Sequence, residues 1–458
     1  MRRVTGNWLL IGVVAALAAA STASRVVPAW AVANEFSIPP GLKTQVEFWK
    51  RIFGNYSTQQ VVIHDAWRLD HVYEVLDFQP LADSIIGDAA VEGYIHEKVQ
   101  EEKERIRAIL LRLQQLGPNP EGLSEEERKV WALFADVTDP SKFLDAAAED
   151  RIRAQRGMRE RFAAGVEVSR RYLPEMEAVF RREGLPISLT RLPLVESCFN
   201  VRAYSKVGAA GIWQFMPSTG RHYLRIDDAV DERRDPVAST TAAAEHLKAN
   251  YEVLNSWPLA ITAYNHGRAG MVHAVSTVGS SDLVDIIQHY HGPAFKFASR
   301  NFYAEFLAAL DVEQHFREYF GELSPQRPVG TETVVVPDYV TLKGLAHAAG
   351  TDSETLADLN PALTRDVVGG KLHVPKGYRL RVPPGGAAAF ATRYASVSAD
   401  QKHVRQRSAY VTHRVKKGQT LRAIAKRYGT TVAAIQRRNN LRGPARVKVG
   451  QSLVIPTG

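Results

Sequence analysis

The stretch Leu192–Pro217, LPLVESCFNVRAYSKVGAAGIWQFMP, places one acid inside a largely apolar run and closes on a glycine-spaced aromatic segment. The acid is Glu196, with Leu194, Val195 and Phe199 around it. Removal of a carboxyl group from water disfavours its charged form and raises its pKa, as a general acid needs near neutral pH. We therefore take Glu196 as the candidate catalytic residue.

The composition is that of a globular protein with several domains. The chain has 458 residues, of which 45% are hydrophobic and 23% are charged, and this length predicts about two to four domains. These values exclude a disordered chain and a membrane protein with many spans. The single cysteine, Cys198, can form no internal disulfide, and we interpret it as a small buried residue rather than a nucleophile.

The N-terminus has the pattern of a signal peptide, residues 1–31. Arg2 and Arg3 precede the apolar run Leu9–Ala20, which is too short to span a bilayer, and Ala29–Ala31 has the small-x-small form of a cleavage site. An uncleaved anchor is the alternative. Since no lipobox cysteine is present near the signal, we expect export to the periplasm or cell envelope without a lipid anchor.

Positive charge is concentrated at the C-terminal end. The net charge is +9, but residues 401–458 contain fourteen Lys and Arg and no acid, so the rest of the chain sums to −5. A basic module on an exported protein favours an anionic envelope polymer or a membrane surface as partner. We expect no nucleic acid partner, and the alternative is a solvated basic face.

Helical periodicity dominates the first 320 residues. Residues 45–190 are predicted to be mostly helical, and apolar residues recur at three- to four-residue steps, with one longer gap, from Val91 to Leu116. Gly117–Pro120 predicts the end of this helix. Ser124 with Glu127 predicts a capping box. Asp235 followed by Pro236 predicts the start of another helix.

A repeat of strand, two helices and strand occupies the C-terminal part, with a low-information segment, residues 387–409, between its copies. The copies align without a gap at three positions, namely Leu342 with Leu421, Leu356 with Ile435, and Asn360 with Asn439. Two small modules of related fold are therefore expected.

The second copy resembles a LysM domain, from Val415 through Gly418–Leu421 to Val449–Pro456. The resemblance implies binding of chains that contain N-acetylglucosamine, in a groove lined by Gly418, Gln419, Thr420, Leu421, Asn439, Asn440 and Leu441. Thr420 also has the position of a helix cap. The first copy has Pro337–Thr341 in place of the glycine-containing loop, so it is a degenerate LysM-like unit.

The opening stretch resembles the catalytic domain of lytic transglycosylases, which has a lysozyme-like fold. Three motifs carry the resemblance, namely Leu194–Ser197 with Asn200, Ser205 with Gly208–Pro217, and Ala263–Gly267. Together with the LysM units, they resemble the membrane-bound lytic murein transglycosylase D family. Two features depart from that pattern: His266 replaces a small residue, and Gly292–Phe302 is an unusual ending.

These observations predict a mainly α protein with small βααβ modules at its C-terminal end. The predicted divisions are a signal peptide (1–31), a helical N-terminal region (32–170), a lysozyme-like catalytic domain (171–325), a degenerate LysM-like module (331–386), a linker (387–409) and a LysM domain (410–457).

The resemblance implies a reaction on peptidoglycan that uses one glutamate. Glycosidases usually employ two carboxylates, but the other candidates lie in a polar, loop-like segment where cap and loop roles are expected: Asp227, Asp228, Asp231, Glu232 and Asp235. In the family, one glutamate acts as acid and base and a 1,6-anhydro sugar forms. By position, the substrate-binding residues are Ser197, Ser205, Gln214, Met216, Tyr264 and Asn265, although Gln214, Asn265 and Ser197 also suit structural roles.

Two other functions are alternatives to the reaction that the resemblance implies. A muramidase on the same fold would use water, and a non-catalytic wall-binding protein would not need Glu196. We predict no cofactor and no metal, because neither His64-Asp65 nor His289–His291 has the ligand spacing of a zinc helix.

Overall fold

The computed structural model describes residues 36–79, 88–407, 410–439, 441 and 447–456. These residues form a helical body followed by two small modules of mixed strands and helices, which confirms the predicted fold class. The predicted signal peptide lies outside the described residues. Within the described ranges, no helix combines the length and apolar character that a membrane span requires.

The body is built from thirteen α-helices in the described ranges. They are α1 (Lys43–Gly54), α2 (Asp88–Leu116), α3 (Glu125–Leu133), α4 (Lys142–Ala146), α5 (Arg159–Glu183), α6 (Leu192–Ser197), α7 (Pro217–Gly220), α8 (Pro236–Leu254), α9 (Trp257–His266), α10 (Arg268–Val278), α11 (Leu283–His289), α12 (Phe297–Gln314) and α13 (Phe316–Phe320).

A three-stranded antiparallel sheet interrupts the predicted helical N-terminal region. It contains β1 (Gln60–Asp65), β2 (Val72–Asp77) and β3 (Ile152–Arg156), with β1 in the centre. Sequence periodicity missed this sheet because Val61 to Asp65 are all buried. A strand that is buried on both faces shows no alternation of polar and apolar residues.

The first part of the N-terminal region shares a hydrophobic core with the helices of the predicted catalytic domain, whereas much of residues 61–152 forms a core of its own. α1 packs against α12 and α5, and the Trp49 indole donates a hydrogen bond to the Asn301 side chain at 3.3 Å. The predicted division between residues 170 and 171 falls inside α5. α1 is thus packed directly onto the helices of the predicted catalytic domain.

Local signals placed several helix ends correctly. α2 ends immediately before Gly117, which adopts a left-handed φ of 78°. Ser124 and Glu127 form the predicted capping box at α3. Asp235 accepts hydrogen bonds from the first free backbone N–H groups of α8, because these groups have no partner within the helix.

Two small modules follow the body. The first module contains β4 (Glu332–Val335), β5 (Tyr339–Val340), α14 (Leu342–Ala349), α15 (Ser353–Leu359), α16 (Arg365–Val368), β6 (Arg379–Val382), α17 (Gly386–Ala395) and β7 (Lys402–His403). The second module contains β8 (Tyr410–Arg414), α18 (Leu421–Arg427), α19 (Val432–Arg438) and β9 (Ser452–Pro456). The strand pairs β4–β6, β5–β7 and β8–β9 are antiparallel.

The segment predicted as a linker, residues 387–409, belongs instead to the first module wherever the structure describes it. α17 packs against α14 and buries Phe390, while β7 pairs with β5. Phe390 and Tyr394 are four residues apart, so they lie on one face of α17. Low sequence complexity concealed this apolar face.

Asn360 and Asn439 confirm the predicted alignment of the repeat. Each side chain donates to the carbonyl oxygen four residues earlier in its helix and to a carbonyl oxygen of the closing strand, β6 or β9. Each side-chain oxygen also accepts from a backbone N–H of that strand. The two modules are therefore closed by the same amide contacts.

The first module is docked onto the body beside α8. The Asp235 carboxylate accepts hydrogen bonds from both terminal nitrogens of the Arg381 guanidinium, at 2.6 and 2.9 Å. Val230 and Leu363 form a β-bridge between the two parts. These contacts place the first module next to the segment that carries Glu196.

Candidate active site

Glu196 lies in the last turn of the short helix α6. Leu192 and Leu194 are buried and hold this helix against the core. The helix then ends abruptly, because Cys198 and Phe199 both have left-handed backbones, with φ of 49° and 55°. Such conformations are unfavourable for non-glycine residues and persist only where packing determines them, so the position of Glu196 is closely defined.

Ser197 connects α6 to the glycine-spaced segment. Its hydroxyl donates to the carbonyl oxygen of Ile212 at 2.9 Å, and the carbonyl oxygen of Pro193 lies at 3.3 Å. A serine hydroxyl has a single hydrogen to donate. The structure therefore supports the helix-end role of Ser197 more directly than contact with a substrate.

Burial dominates the electrostatics of Glu196. The side chain is half-buried, and burial raises the pKa of its carboxyl from 4.5 to about 8. No ion pair among the described residues includes this carboxyl. A cation beside it would favour the charged form, so its surroundings keep Glu196 protonated at neutral pH.

The glycine-spaced segment folds tightly beside α6. Gly211 has a φ of 76°, and a Cβ there would lie 1.8 Å from the Arg233 carbonyl oxygen. The Trp213 ring is fully buried and its indole donates to the Thr240 hydroxyl at 2.8 Å. Gln214 has a φ of 48°, and its amide donates to the Gly211 carbonyl oxygen at 2.8 Å.

Tyr264 and Asn265, at the end of α9, lie beside this segment. The Tyr264 hydroxyl donates to the carbonyl oxygen of Trp213 at 2.8 Å. Burial raises the pKa of Tyr264 well above 10, and the negative charge that Glu196 can carry raises it further, so the two side chains are within electrostatic reach. The Asn265 side-chain oxygen accepts a hydrogen bond from Ser299 at 2.9 Å.

The remaining predicted substrate-binding residues flank the same segment. The Ser205 side-chain oxygen accepts from the Ala209 N–H at 2.9 Å, and Met216 is 39% exposed. Glu196 lines a cleft of about 790 Å³, and among the six predicted substrate-binding residues Ser197 lines it as well.

Three protein families match parts of the chain. The transglycosylase SLT domain matches residues 177–284, which include Glu196 and Tyr264. The chain therefore contains a transglycosylase SLT domain. It also matches the LysM-like domain of the lytic transglycosylase MltD at residues 330–399 and the LysM domain at residues 413–456.

Two curated relatives are similar to the chain. It is 29% identical over 338 residues to the membrane-bound lytic murein transglycosylase D of Escherichia coli K12, covering 71% of this chain and 73% of the relative. It is 34% identical over 111 residues to a putative tributyltin chloride resistance protein of an Alteromonas species, covering 23% of this chain and 53% of that protein.

Among solved structures, the chain is similar to an inactive mutant of the lytic transglycosylase Slt from Pseudomonas aeruginosa. The sequence identity is 16% and the TM-score is 0.28, over 49% of this chain and 37% of that chain.

Glu305 is a second carboxyl group near Glu196 that sequence reasoning missed. It lies on α12, which packs against α6, and its side chain is half-buried. Burial, and then the negative charge of Glu196, raise the pKa of Glu305 to about 8. Glu305 is the one acid in the apolar run Phe302–Leu310, so the signal that marked Glu196 could have found it.

The acids of the loop before α8 all have partners within the fold. Asp227 accepts hydrogen bonds from the backbone N–H groups of Ala229 and Val230. Asp231 forms an ion pair with Arg233, and Glu232 accepts a hydrogen bond from the backbone N–H of Arg225. Asp235 pairs with Arg381 of the first module, and Asp228 pairs with Arg438 of the second. The expected cap and loop roles are confirmed for Asp227, Asp231, Glu232 and Asp235, whereas Asp228 pairs with the second module.

His266, which departs from the family pattern, has structural contacts, and so does His64, which suggested a metal site. His266 lies within 3.3 Å of the Ser299 hydroxyl and packs edge-on against Phe295. The His64 ring is buried beside the Asp65 carbonyl oxygen at 2.9 Å. In the described part of the chain, no three His, Cys, Asp or Glu side chains are grouped to hold a metal ion.

The second module gives structural contacts to most of the predicted glycan-binding residues. Gly418 has a φ of 82°, Thr420 caps α18 and Leu421 is buried. The Gln419 side-chain oxygen accepts from the Lys416 N–H at 2.8 Å. Leu441 packs partly buried against the module core.

Asn439 has structural contacts within the second module. Both hydrogens of its side-chain amide donate there, to Ile435 and Val454, and an amide nitrogen has only two hydrogens. These contacts favour a structural role for the Asn439 side chain over the predicted contact with glycan. Asn440 lies outside the described residues.

Proposed function

We propose that the protein is a lyase that cleaves the β-1,4 bond between N-acetylmuramic acid and N-acetylglucosamine in peptidoglycan without water. The product is a glycan end with 1,6-anhydro-N-acetylmuramic acid, and Glu196 is the single general acid and base. The observation that carries the proposal is the half-buried Glu196 carboxyl, whose pKa is raised to about 8 by burial within an SLT domain.

The proposed reaction has two steps at one carboxyl group. Glu196 first donates its proton to the glycosidic oxygen, and the bond from that oxygen to C1 of the muramoyl sugar breaks. The Glu196 carboxylate then takes the proton of the muramoyl 6-hydroxyl while the hydroxyl oxygen bonds to C1. The attacking hydroxyl belongs to the same sugar, so it has a high effective concentration relative to water.

Glu305 does not fit the nucleophile of a two-carboxylate hydrolase. A carboxyl nucleophile must be ionised, but the pKa of Glu305 is raised to about 8. At neutral pH both Glu196 and Glu305 are therefore mainly protonated. This favours the internal hydroxyl as the attacking group.

The residues around Glu196 supply binding and orientation in this proposal. Tyr264, fixed by its hydrogen bond to Trp213, orients the acid and supports the positive charge that develops at C1. Asn265, held by Ser299, acts with it. By their positions, Ser205 and Gln214 bind the muramoyl substituents and Met216 packs on the sugar.

The products that the enzyme releases from purified sacculi test the proposed reaction. Mass spectrometry should show 1,6-anhydro-muramoyl ends, which are lighter than hydrolysed ends by one water. Reducing muramoyl ends without anhydro sugar would instead establish a muramidase. Absence of any cleavage would support a non-catalytic wall-binding protein.

We predict that kcat/KM falls as the pH rises through about 8. The acid must be protonated in the free enzyme, and the pKa of Glu196 is about 8. Tyr264 stays neutral in this range, whereas Glu305 titrates with Glu196, so the measured pKa belongs to the pair. A profile on soluble glycan from pH 5 to 10 checks this. A decline that begins near pH 5 would contradict it.

We further propose that the second module binds glycan and holds the enzyme on peptidoglycan in the periplasm or cell envelope. The match to a LysM domain supports this. The excess of cations after residue 401 adds attraction to an anionic envelope polymer or membrane surface.

We predict that deletion of residues 410–458 weakens binding to sacculi about tenfold or more and spares cleavage of short soluble glycans, because avidity is lost but the active site is not. Co-sedimentation in a Glu196→Gln background measures binding without digestion. Thermal unfolding of the shortened chain controls for folding. Equal loss of binding and of cleavage would argue against a separate targeting role.

A further inference from the structure

A second and larger cleft lies between the body and the first module. Its volume is about 1120 Å³, compared with about 790 Å³ for the cleft of Glu196. Val201 and Arg202 line both clefts, so the two adjoin. The surface next to the reacting carboxyl therefore continues into a groove with the first module as one wall.

This wall is fixed to the body. Ala229 and Val230 of the body are buried in the hydrophobic core of the first module. The Asp231 N–H donates to the Ala362 carbonyl oxygen at 2.8 Å, next to the β-bridge between Val230 and Leu363. Together with the Asp235–Arg381 ion pair, these contacts hold the groove open in one geometry, so a ligand does not have to order it.

Cations exceed available acids in the groove. Four arginines line it, namely Arg171, Arg202, Arg234 and Arg365, together with the acids Asp231, Glu354 and Asp358. Two of the acids are already paired, Asp231 with Arg233 and Asp358 with Arg202. Within the described ranges, the other three arginines form no ion pair with a carboxylate.

The arginines are close enough to affect one another. Burial lowers the pKa of the Arg234 guanidinium, the charge of Asp231 raises it in part, and the charges of Arg365 and Arg202 lower it again. An anion that enters the groove would relieve this repulsion. Arginine suits carboxylates in particular, because its planar fork of N–H groups can bind both oxygens.

We propose that this groove binds the peptide stem carried by muramic acid, and that Arg171, Arg234 and Arg365 receive the carboxylates of the stem. The proposal rests on the proposed function, because the stem is attached to the same sugar whose C1 is attacked. The first module then acts as part of the substrate cleft rather than as a separate sugar-binding unit.

The apolar surface of the groove suits the uncharged parts of such a stem. Tyr204 is 66% exposed and Val368 is 48% exposed, and they come from the body and the first module respectively. Exposed apolar side chains that line a groove with charged groups are typical of a binding surface. A bare glycan keeps only the lactyl carboxylate of each muramic acid, next to the sugar ring, and it lacks the carboxylates along the stem that the arginines would receive.

The double variant Arg171→Gln/Arg365→Gln tests the proposal on two substrates. One is glycan chains with their stems, and the other is the same chains after an amidase has removed the stems. We expect kcat/KM to fall about tenfold for the stem-bearing chains, from the loss of charge-assisted hydrogen bonds, and to change less than about twofold for the bare chains. The bare-chain activity also shows that the variant is folded.

Lys376→Gln is the matched control, because Lys376 is an exposed cation of the first module that does not line the groove. It should leave both activities unchanged. Equal losses on both substrates for the double variant, or no loss on the stem-bearing chains, would overturn the stem site. Such results in an enzyme that still makes anhydro ends would leave the proposed function intact, whereas an active Glu196→Gln variant would overturn the function itself.

Discussion

Glu196→Gln should lower kcat on peptidoglycan about 1000-fold. Glutamine has nearly the same shape but can neither donate the proton to the leaving oxygen nor take it from the 6-hydroxyl, so both proposed steps fail. General acid–base catalysis contributes about 100- to 10,000-fold, and one group serves twice here. Release of anhydro-muramoyl products from sacculi measures the loss.

Glu305→Gln provides the matched comparison, since Glu305 is the other half-buried carboxyl with a pKa of about 8. It makes the same chemical change on α12, and we expect less than about a tenfold loss, as for a group that does not transfer the proton. A loss as large as that of Glu196→Gln would show that the reaction needs two carboxyl groups. Retained activity in Glu196→Gln would exclude Glu196 as the acid.

The stability of the two variants supplies an independent readout. The pKa of each carboxyl is raised in the folded protein, so its contribution to stability is complete below about pH 4.5 and is lost as the pH rises through about 8. Glutamine does not ionise. The melting temperature of each variant should therefore be higher than that of the wild type at pH 9 and nearly the same at pH 5.

Asp235→Asn should destabilise the folded chain by about 3 kcal/mol, since removal of one partner from a buried ion pair costs about 3–5 kcal/mol. Asparagine can still cap α8, so the cap is preserved. The loss comes from Arg381, whose side chain is 23% exposed and would keep its charge without a partner. Urea unfolding of the full chain measures the change in the free energy of unfolding.

Asp358→Asn is the control for this prediction. The Arg202–Asp358 pair also joins the body to the first module, but its side chains are 76% and 56% exposed. Exposed ion pairs contribute about 0–1 kcal/mol. If Asp235→Asn and Asp358→Asn cost equally little, the Asp235–Arg381 pair does not hold the module in place.

Local patterns in the sequence were sufficient to predict the helix ends and to single out Glu196 as the candidate carboxyl. The Asp235-Pro236 start of α8, the capping box of α3 and the equivalence of Asn360 and Asn439 all depend on neighbours a few residues apart. The isolated acid Glu196 stood out because its neighbours are apolar.

Features that depend on distant residues could not be predicted in this way. Because β1 is buried on both faces, its sequence shows no alternation of polar and apolar residues. The ion-pair partner of Asp235, Arg381, lies 146 positions away in the chain. Glu305 became relevant only when α12 was seen to pack against α6. The apolar face of α17 was hidden in an alanine-rich segment.

The shared amide contacts of Asn360 and Asn439 affect how mutational scans of the modules should be interpreted. Alanine at Asn439 would remove the hydrogen bonds that its side chain makes to the N–H and the carbonyl oxygen of Val454, whereas the Ile435 carbonyl oxygen would keep its bond from the backbone N–H of residue 439. The closing strand would lose its tie to α19, so the second module would open whether or not sugar is present. A mutational scan that measures only the binding of glycan would wrongly identify Asn439 as a residue that contacts the sugar. Asn360→Ala identifies this artefact, because it breaks the same contacts in a module without the sugar-binding loop.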